Sequence, residues 1–299
     1  MLRPTLHQLA VFLAVATHGS YSAAGRELHL AQSAVSFHVQ QLEDLVGVEL
    51  IEQLGKRLCL TPAGKVMLER SRRILALVDD SVAEASGLTG ELCGRLTVGA
   101  SSTPGTFLLP EALSRLRNEW PMAQVVVSLN NSRTIERRLF EHELDLGLMG
   151  CPPKRENLVA EVFATDDIVF IANPGHPLSE TRSVSISKVL TEQIIVREPG
   201  SATRDAFAAS LTRLGLELKP TMELDNTEAI KRAVRAGLGI AALSGYAVRD
   251  ELKLGVLTRL KVRGIKLQRN LYVVRHRDKR LSGIAEKLLS YLYYYRDKM

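Results

Sequence analysis

The chain has 299 residues, 45% of them hydrophobic and 24% charged, with a formal net charge of +6. That is enough apolar sequence for more than one packed domain, and too evenly mixed for a disordered or fibrous protein. Cys59, Cys93 and Cys151 are odd in number, widely spaced and without a CxxC pair, which argues against a disulfide framework or a zinc site.

Leu6, Leu9, Ala10, Leu13 and Ala16 give a first helix an apolar face. A signal peptide is the competing reading, with Arg3 ahead of an apolar run ending in Ala14-Val15-Ala16. His7 and Gln8 break into that run, and the helical period continues past it. No segment reaches the roughly 18 apolar residues of a transmembrane helix, so the chain is read as cytoplasmic, with no membrane partner.

Ser22 to Glu43 reads as helix, tight turn, helix. Ser22 is taken as the N-cap of a short helix carrying Ala23, Ala24 and Leu28, and His29-Leu30-Ala31 as the turn. Gln32 opens a second helix whose buried face is Val35, Val39, Leu42 and Leu45. Gln32, Ser33, Ser36, His38 and Gln40 are placed on the opposite face, where compact hydrogen-bonding groups suit base edges and phosphates. Small alanines beside the turn allow the close crossing of a DNA-reading helix-turn-helix. A solvated helix pair is the bland alternative. The neighbouring residues favour DNA: two short apolar segments, Leu50 to Gln53 and Leu58 to Thr61, flank Leu54-Gly55-Lys56-Arg57. This reads as a wing whose cations, Lys56 and Arg57, would lie along a phosphate strand or in the minor groove.

Bulk charge does not carry the argument. Residues 1 to 90 have a net charge of −1, and the cationic excess falls in residues 261 to 299. Only local charge counts, with Glu43, Asp44 and Glu49 expected to lie away from the wing.

Thr61-Pro62 is an N-cap followed by proline at the first helical position, and opens one long helix to about Leu88. Its stripe of Val66, Ile74, Val78, Val82 and Ala85 calls for a partner helix, which predicts dimerisation. Gly87, Gly90 and Gly94 then suit a hinge. Beyond it, strands at Leu96–Gly99, Gln124–Leu129, Leu144–Met149, Ile168–Ala172, Ile194–Val196, Ile240–Leu243 and Asn270–Val274 alternate with helices. The helices are expected at Phe107–Asn118, Arg133–Glu141, Ala202–Leu214, Thr227–Ala236 and Leu281–Tyr295. The alternation predicts parallel sheets in an α/β module of two lobes.

Ligands in such sheets sit beyond the carboxyl ends of strands, where helix N-termini point. The junctions there are Ser101-Ser102-Thr103, Asn130-Asn131-Ser132, Glu198 to Arg204 with Ser201 and Thr203, and Asp225-Asn226-Thr227. Ser132 and Thr203 also read as plain N-caps. Backbone amides, helix dipoles and Arg204 in a first turn together favour an anion: a carboxylate, a phosphate or an oxyanion of sulfur. No cofactor is indicated. No GxSxG, HExxH, P-loop or strand–Gly-rich–helix fingerprint appears, and Gly237-Leu238-Gly239 follows a helix, so it ends one. An enzyme with Ser101 or Ser102 as nucleophile lacks a placed histidine, and catalysis is not expected.

The chain resembles the LysR-type transcriptional regulators along essentially its full length. The resemblance rests on Ala23-Ala24 through Leu28, Gln32 to Ser36, Leu42-Glu43, Gly47 to Leu50, Leu60 to Gly64, Gly175 to Leu178 and Ala236 to Ile240. It implies a winged helix-turn-helix over 1–61, a linker or dimerisation helix and hinge over 62–91, and an effector domain over 92–299 resembling a type 2 periplasmic binding protein. Lobe I would cover about 92–163 and 266–299, and lobe II about 164–265. The implied assembly is a homotetrameric dimer of dimers on double-stranded promoter DNA, with RNA polymerase as a further partner and a small effector in the interlobe cleft. The wording of Gln53 to Arg57, Met149-Gly150-Cys151-Pro152-Pro153, Arg197 to Ser201 and Asn226 to Lys231 is similar to a branch regulating carbon-fixation operons and sulfite and sulfur metabolism. That adds Met149 and Gly150 to the effector residues. Phe37, counted with Ser22 among the DNA-contacting positions, stands where many members carry Arg, and Ser33 where proline is commoner. The operator sequence therefore does not carry over. A small-anion-binding protein without a transcriptional role is the alternative.

Overall fold

The computed structural model describes residues 3–54, 57–87 and 94–296. The chain divides into two compact units, one of Met1–Gly90 with Glu141–Glu143, the other of Glu91–Phe140 with Leu144–Met299.

The first unit contains helices α1 (Leu6–His18), α2 (Tyr21–Leu28) and α3 (Gln32–Val46), an antiparallel hairpin of β1 (Ile51–Leu54) and β2 (Arg57–Leu60), and the long helix α4 (Pro62–Gly87). A capping box starts α1: the Thr5 hydroxyl accepts from the Gln8 amide, and the Gln8 side chain accepts from the Thr5 amide. The buried face of α1 is rotated from the expected one, because two groups of neighbours cover it. Val11, Ala14 and Val15 pack with Ala24, Val35 and Val39, while Leu9 and Phe12 pack with Leu42, Leu50 and Leu75, and Leu6 is left 45% exposed. Leu45 is likewise 37% exposed, since Leu50 closes the core beyond Leu42.

Ser20, not Ser22, caps α2: its hydroxyl accepts from the Ala23 amide at 3.3 Å. The physical reason is that Gly19 ends α1 in the left-handed conformation, leaving Ser20 as the extended residue between the helices. Ser22 falls inside the first turn of α2 and is exposed. His29 ends α2 at φ +55, the role glycine more often fills.

Thr61 caps α4, accepting from the Gly64 amide at 2.9 Å and donating to the Glu49 carbonyl at 2.8 Å. Gly64 has no room for a side chain, because a Cβ there would lie 1.9 Å from the Leu50 carbonyl oxygen. Ala63, Met67, Leu68 and Leu75 turn toward the unit's own core. The opposite side of α4 leaves Val66, Ile74, Leu77 and Val82 exposed.

The second unit runs β3 (Gly94–Ala100), α5 (Ser102–Phe107), α6 (Leu109–Glu119), β4 (Ala123–Leu129), α7 (Ser132–Phe140), β5 (Leu146–Met149) and the long β6 (Leu158–Ala172). It continues with β7 (Val184–Ser185), α8 (Ile186–Val189), β8 (Ile194–Arg197), α9 (Ala202–Thr212), β9 (Met222–Leu224), α10 (Thr227–Arg235), β10 (Ile240–Ser244) and α11 (Gly245–Lys253). β11 (Thr258–Leu260), β12 (Val262–Arg263), β13 (Gln268–His276) and α12 (Gly283–Arg296) complete it. The helix expected over Phe107–Asn118 is broken at Leu108. α6 restarts there with Pro110 in its first turn, where a missing N–H costs nothing.

The strands follow the order β4-β3-β5-β13-β6-β10-β8-β9, with β11 beside β6. The expectation of parallel sheets holds only for the outer trios. β4, β3 and β5 are parallel, as are β10, β8 and β9, but β6 and β13 pair antiparallel with each other and with their flanking neighbours β10 and β5. These two strands cross between the two halves of the sheet. One half has apolar clusters on both faces, the larger joining Leu96, Leu116 and Leu148 to Ile284, Leu288 and Leu292 of α12, so the end of the chain returns to it. The other half is sandwiched in the same way.

Candidate DNA-reading helix and effector cleft

Residues 32–46 form one uninterrupted helix whose N-cap, Ala31, offers no side-chain acceptor. The first-turn amides of α3 therefore have no side-chain cap, as a phosphate-facing helix N-terminus requires. Gln32, Ser33, Ser36 and Gln40 are exposed, as is Phe37 at 58%. Gln40 Nε2 already donates to Asp44 Oδ1 at 3.1 Å.

His38 does not share that face. It is half-buried, with its ring edge-on to His7 at 4.7 Å and Nδ1 enclosed without a partner among the described residues. The reason is angular: His38 precedes buried Val39 and is swung toward α1, so it supports the helix pair from below. Glu43 also departs from expectation. Its carboxylate accepts from the amides of Leu50 and Ile51 at 2.7 and 3.1 Å, tying the base of the wing to α3. The hairpin pairs Ile51–Leu54 with Arg57–Leu60, Leu54 opposite Arg57. Lys56 and the Arg57 side chain, assigned to the wing tip, lie outside the described residues.

In the second unit the expected junctions converge. Ser101, Ser102, Thr103, Asn131, Ser201 and Thr203 line one narrow cleft, together with Ser132, Ala202, Arg197 and Arg269. Ser101 and Ser201 precede α5 and α9 without capping them, so the first-turn amides of both helices lack a side-chain acceptor. The Ser102 hydroxyl meets that of Thr227 at 3.1 Å, bringing the junction after β3 to the one after β9. Thr227 also accepts from Arg197 Nη1 at 2.9 Å, and Arg197 is held by the Glu198 carboxylate at 2.8 and 3.1 Å.

The second cation in the cleft is Arg269. Its Nη2 donates to the Thr103 hydroxyl at 2.9 Å and its Nε to Asp166 Oδ2 at 2.9 Å. Asp166 is fully buried and also accepts from the Ser244 hydroxyl at 2.7 Å. Burial raises the Asp166 pKa from its ordinary value, more than the opposing pull of Arg269 and of the two hydrogen bonds lowers it. Gly150 lies beneath, where a Cβ would come within 2.7 Å of Arg269 Nη1 and 2.9 Å of Ala202 Cβ.

Three expected effector residues are placed elsewhere. Arg204 turns back along α9, donating to the Arg197 carbonyl at 3.0 Å and pairing with Glu223 at 2.5 Å, so it braces β8 against β9. Asn226 is used as the N-cap of α10, accepting from the Glu228 and Ala229 amides. Met149 is fully buried with Ile135 and Leu139 in an apolar cluster. Asn131, rather than Ser132, caps α7 by accepting from the Thr134 amide at 3.0 Å. Arg197 had only a motif to mark it, and Arg269 had no local signal at all.

A model of the bacterial regulatory helix-turn-helix protein, lysR family, matches residues 6–65, and one of the LysR substrate binding domain matches residues 89–294. The chain belongs to the LysR family. It is a DNA-binding transcriptional regulator with an effector-binding domain, and regulators of RuBisCO operons are among its relatives. One of them, from Acidithiobacillus ferrooxidans, is 38% identical over 97% of this chain and 93% of its own. A full-length OxyR variant from Pseudomonas aeruginosa shares the LysR fold, with a TM-score of 0.75 at 21% identity over 98% of this chain and 95% of that one. The Synechocystis PCC6803 CcmR regulatory domain, solved in complex with 2-PG, is 30% identical over 69% of this chain and 98% of its own, with a TM-score of 0.63. Among the described residues no helix of this LysR protein is long and apolar enough to cross a membrane.

Proposed function

We propose that this regulator reads promoter DNA with Gln32, Ser33, Ser36 and Gln40 of α3, and that a small anionic metabolite in the second-unit cleft controls that binding. The observation that carries the anion is Arg269, which reaches the cleft from a buried carboxylate on one side to the Thr103 hydroxyl on the other. Two uncapped helix starts and the hydroxyls of Ser102, Ser201 and Thr203 surround the same space. The 2-PG bound by the related CcmR domain supports a small-molecule ligand for a domain of this kind. Arg197 holds one wall through Thr227. An anion settling between Thr103 and Thr203 draws the two halves of the sheet together, since one wall comes from each.

The exposed stripe of Val66, Ile74, Leu77 and Val82 on α4 pairs with the same stripe of a second copy, and two such pairs make the working tetramer. Closure of the cleft changes the angle between paired reading heads, and with it the bend of the operator and access by RNA polymerase.

The test is calorimetric titration of the full chain with 2-PG, inorganic phosphate and, as a neutral control, glycerol. The two anions should bind and glycerol should not. Thr103→Val and Ser102→Ala should weaken the anions while operator affinity without ligand stays unchanged. Anion binding that survives both substitutions, in variants that remain folded, would remove the cleft from the assignment.

A further inference from the structure

Of the seven phenylalanines in the chain, Phe37 alone is exposed. It lies in the second turn of α3, two residues from each of the buried Val35 and Val39. At 3.6 residues per turn that places it about 160° around the helix from both, so its ring points away from the core. Ser33, Gln40 and Gln41, three of its four neighbours one turn away, are polar, and the fourth, Ala34, is half-buried. Along α3 no other large apolar side chain is exposed within two turns of it. The ring is therefore a single apolar spot in a polar row.

Its direction is also fixed. The Phe37 ring meets that of His38 at 5.9 Å between centroids, with planes 60° apart, and His38 meets His7 of α1 edge-on at 4.7 Å. Three rings in sequence thus tie Phe37 to α1. Beside them Gln8 Nε2 donates to Gln41 Oε1 at 3.2 Å, a second tie between the same two helices.

What such a spot can recognise is narrow. A protein partner would need more apolar surface than one ring on a polar face. A phosphate offers a phenyl group nothing, because the ring carries no hydrogen-bond donor. In the major groove, where a helix-turn-helix lays the N-terminal part of its second helix, thymine alone among the bases presents a methyl group.

We infer that Phe37 is a specificity-determining residue of this regulator, its ring seated on the C5 methyl group of a thymine in the operator. The inference rests on α3 being the reading helix, and adds to it a contact that no hydrogen bond supplies. Ser33 and Gln40 border the ring and serve the base edges beside that thymine. Covering one methyl group should change affinity about fourfold, equivalent to about 0.8 kcal/mol.

The experiment begins with selection of duplexes from a randomised pool by the full-length protein, as wild type and as Phe37→Ala. The duplex chosen by the wild type is then remade with deoxyuridine at each thymidine in turn, which removes the methyl group and leaves the hydrogen-bonding edges unchanged. Anisotropy titration should show one position at which the replacement weakens the wild type about fourfold. The same replacement should leave Phe37→Ala unaffected, and Phe37→Leu, which keeps an apolar side chain, should retain part of the effect. Because Phe37 is exposed, its replacement should leave urea unfolding unchanged. The deoxyuridine series on the wild type decides the matter even if a variant fails to fold. No effect at any thymine overturns the inference, as does a penalty that Phe37→Ala shares in full. If the series is flat while Ser36→Ala changes the selected sequence, the Phe37 contact alone has failed. If Ser36→Ala, Gln32→Ala and Phe37→Ala all select the wild-type sequence, α3 is not the reading helix and both conclusions fall together.

Discussion

The two candidate sites of this regulator are made in opposite ways. The reading face of α3 is one contiguous segment, with Gln32, Ser33, Ser36 and Gln40 related by helical period alone. The effector cleft is gathered from junctions after β3, β4 and β8 and from one arginine on β13, more than 160 residues apart in sequence at its extremes, as the Thr103–Arg269 bond shows. The first site depends on a few local packing contacts to aim it. The second depends on the sheet holding distant strands in register. A local site tolerates substitution of its exposed residues and loses only binding. An assembled site contains buried polar groups whose loss is felt by the fold.

Asp166 gives the sharpest form of that contrast. It is fully buried and paired to Arg269, itself nearly enclosed, so Arg269→Gln strands a buried carboxylate without its counter-charge and should cost about 3–5 kcal/mol in urea unfolding. The double variant Asp166→Asn/Arg269→Gln should recover a large part of that loss; a double variant no more stable than the single one would break the pairing argument. A pH signature accompanies it. The folded pKa of Asp166 is raised by burial, so the stability linked to its protonated form is complete below the ordinary carboxylate range. It is lost as pH rises through the raised folded value, and Asp166→Asn should erase that part of the pH dependence.

The local site has one such point of its own, and it is backbone. Gly64→Ala places a methyl group 1.9 Å from the Leu50 carbonyl, which α4 can relieve only by moving off β1. A loss of about 3 kcal/mol is expected for the first unit, with all DNA binding weakened together. Unchanged stability would mean that this helix start is looser than its geometry.

These cases also explain what the sequence made legible. Helical period and the Thr61-Pro62 cap located α3 and α4 to within a residue or two, because both signals are local. The same period misplaced His38: it cannot say which neighbour closes over the helix flank, and here His7 does. Strand–helix alternation found most strands of the second unit, and three of the four junctions it marked line the cleft. It could not see that β6 and β13 run antiparallel, because direction is set by partners and not by composition. Arg204 stands out in the sequence and Arg269 does not, for the same reason. A cation in a helix first turn is visible in sequence, whereas one on a distant strand becomes visible only when its register with Asp166 is known.

Smaller effects separate the kinds of contact made by the reading face. Ser36→Ala and Gln32→Ala remove exposed groups and should leave stability within about 0.5 kcal/mol. Each should cost about 1–2 kcal/mol of discrimination between operator and a single-base variant, measured by anisotropy titration. His38→Asn should do the reverse, lowering stability while leaving base discrimination intact, since its ring packs on His7 and away from the outer face.

The smallest expected change is at the wing. Lys56→Ala should weaken binding to every sequence by a similar factor, because a contact to phosphate carries no base information. Its mark is in the salt dependence: the slope of log K against log[salt] should become shallower by about 0.9, one released counterion. A loss confined to one base pair, with the slope unchanged, would move Lys56 from the backbone into direct readout. The wing would then belong with α3 as a second local reader, and the contrast between a contiguous site and an assembled one would become sharper.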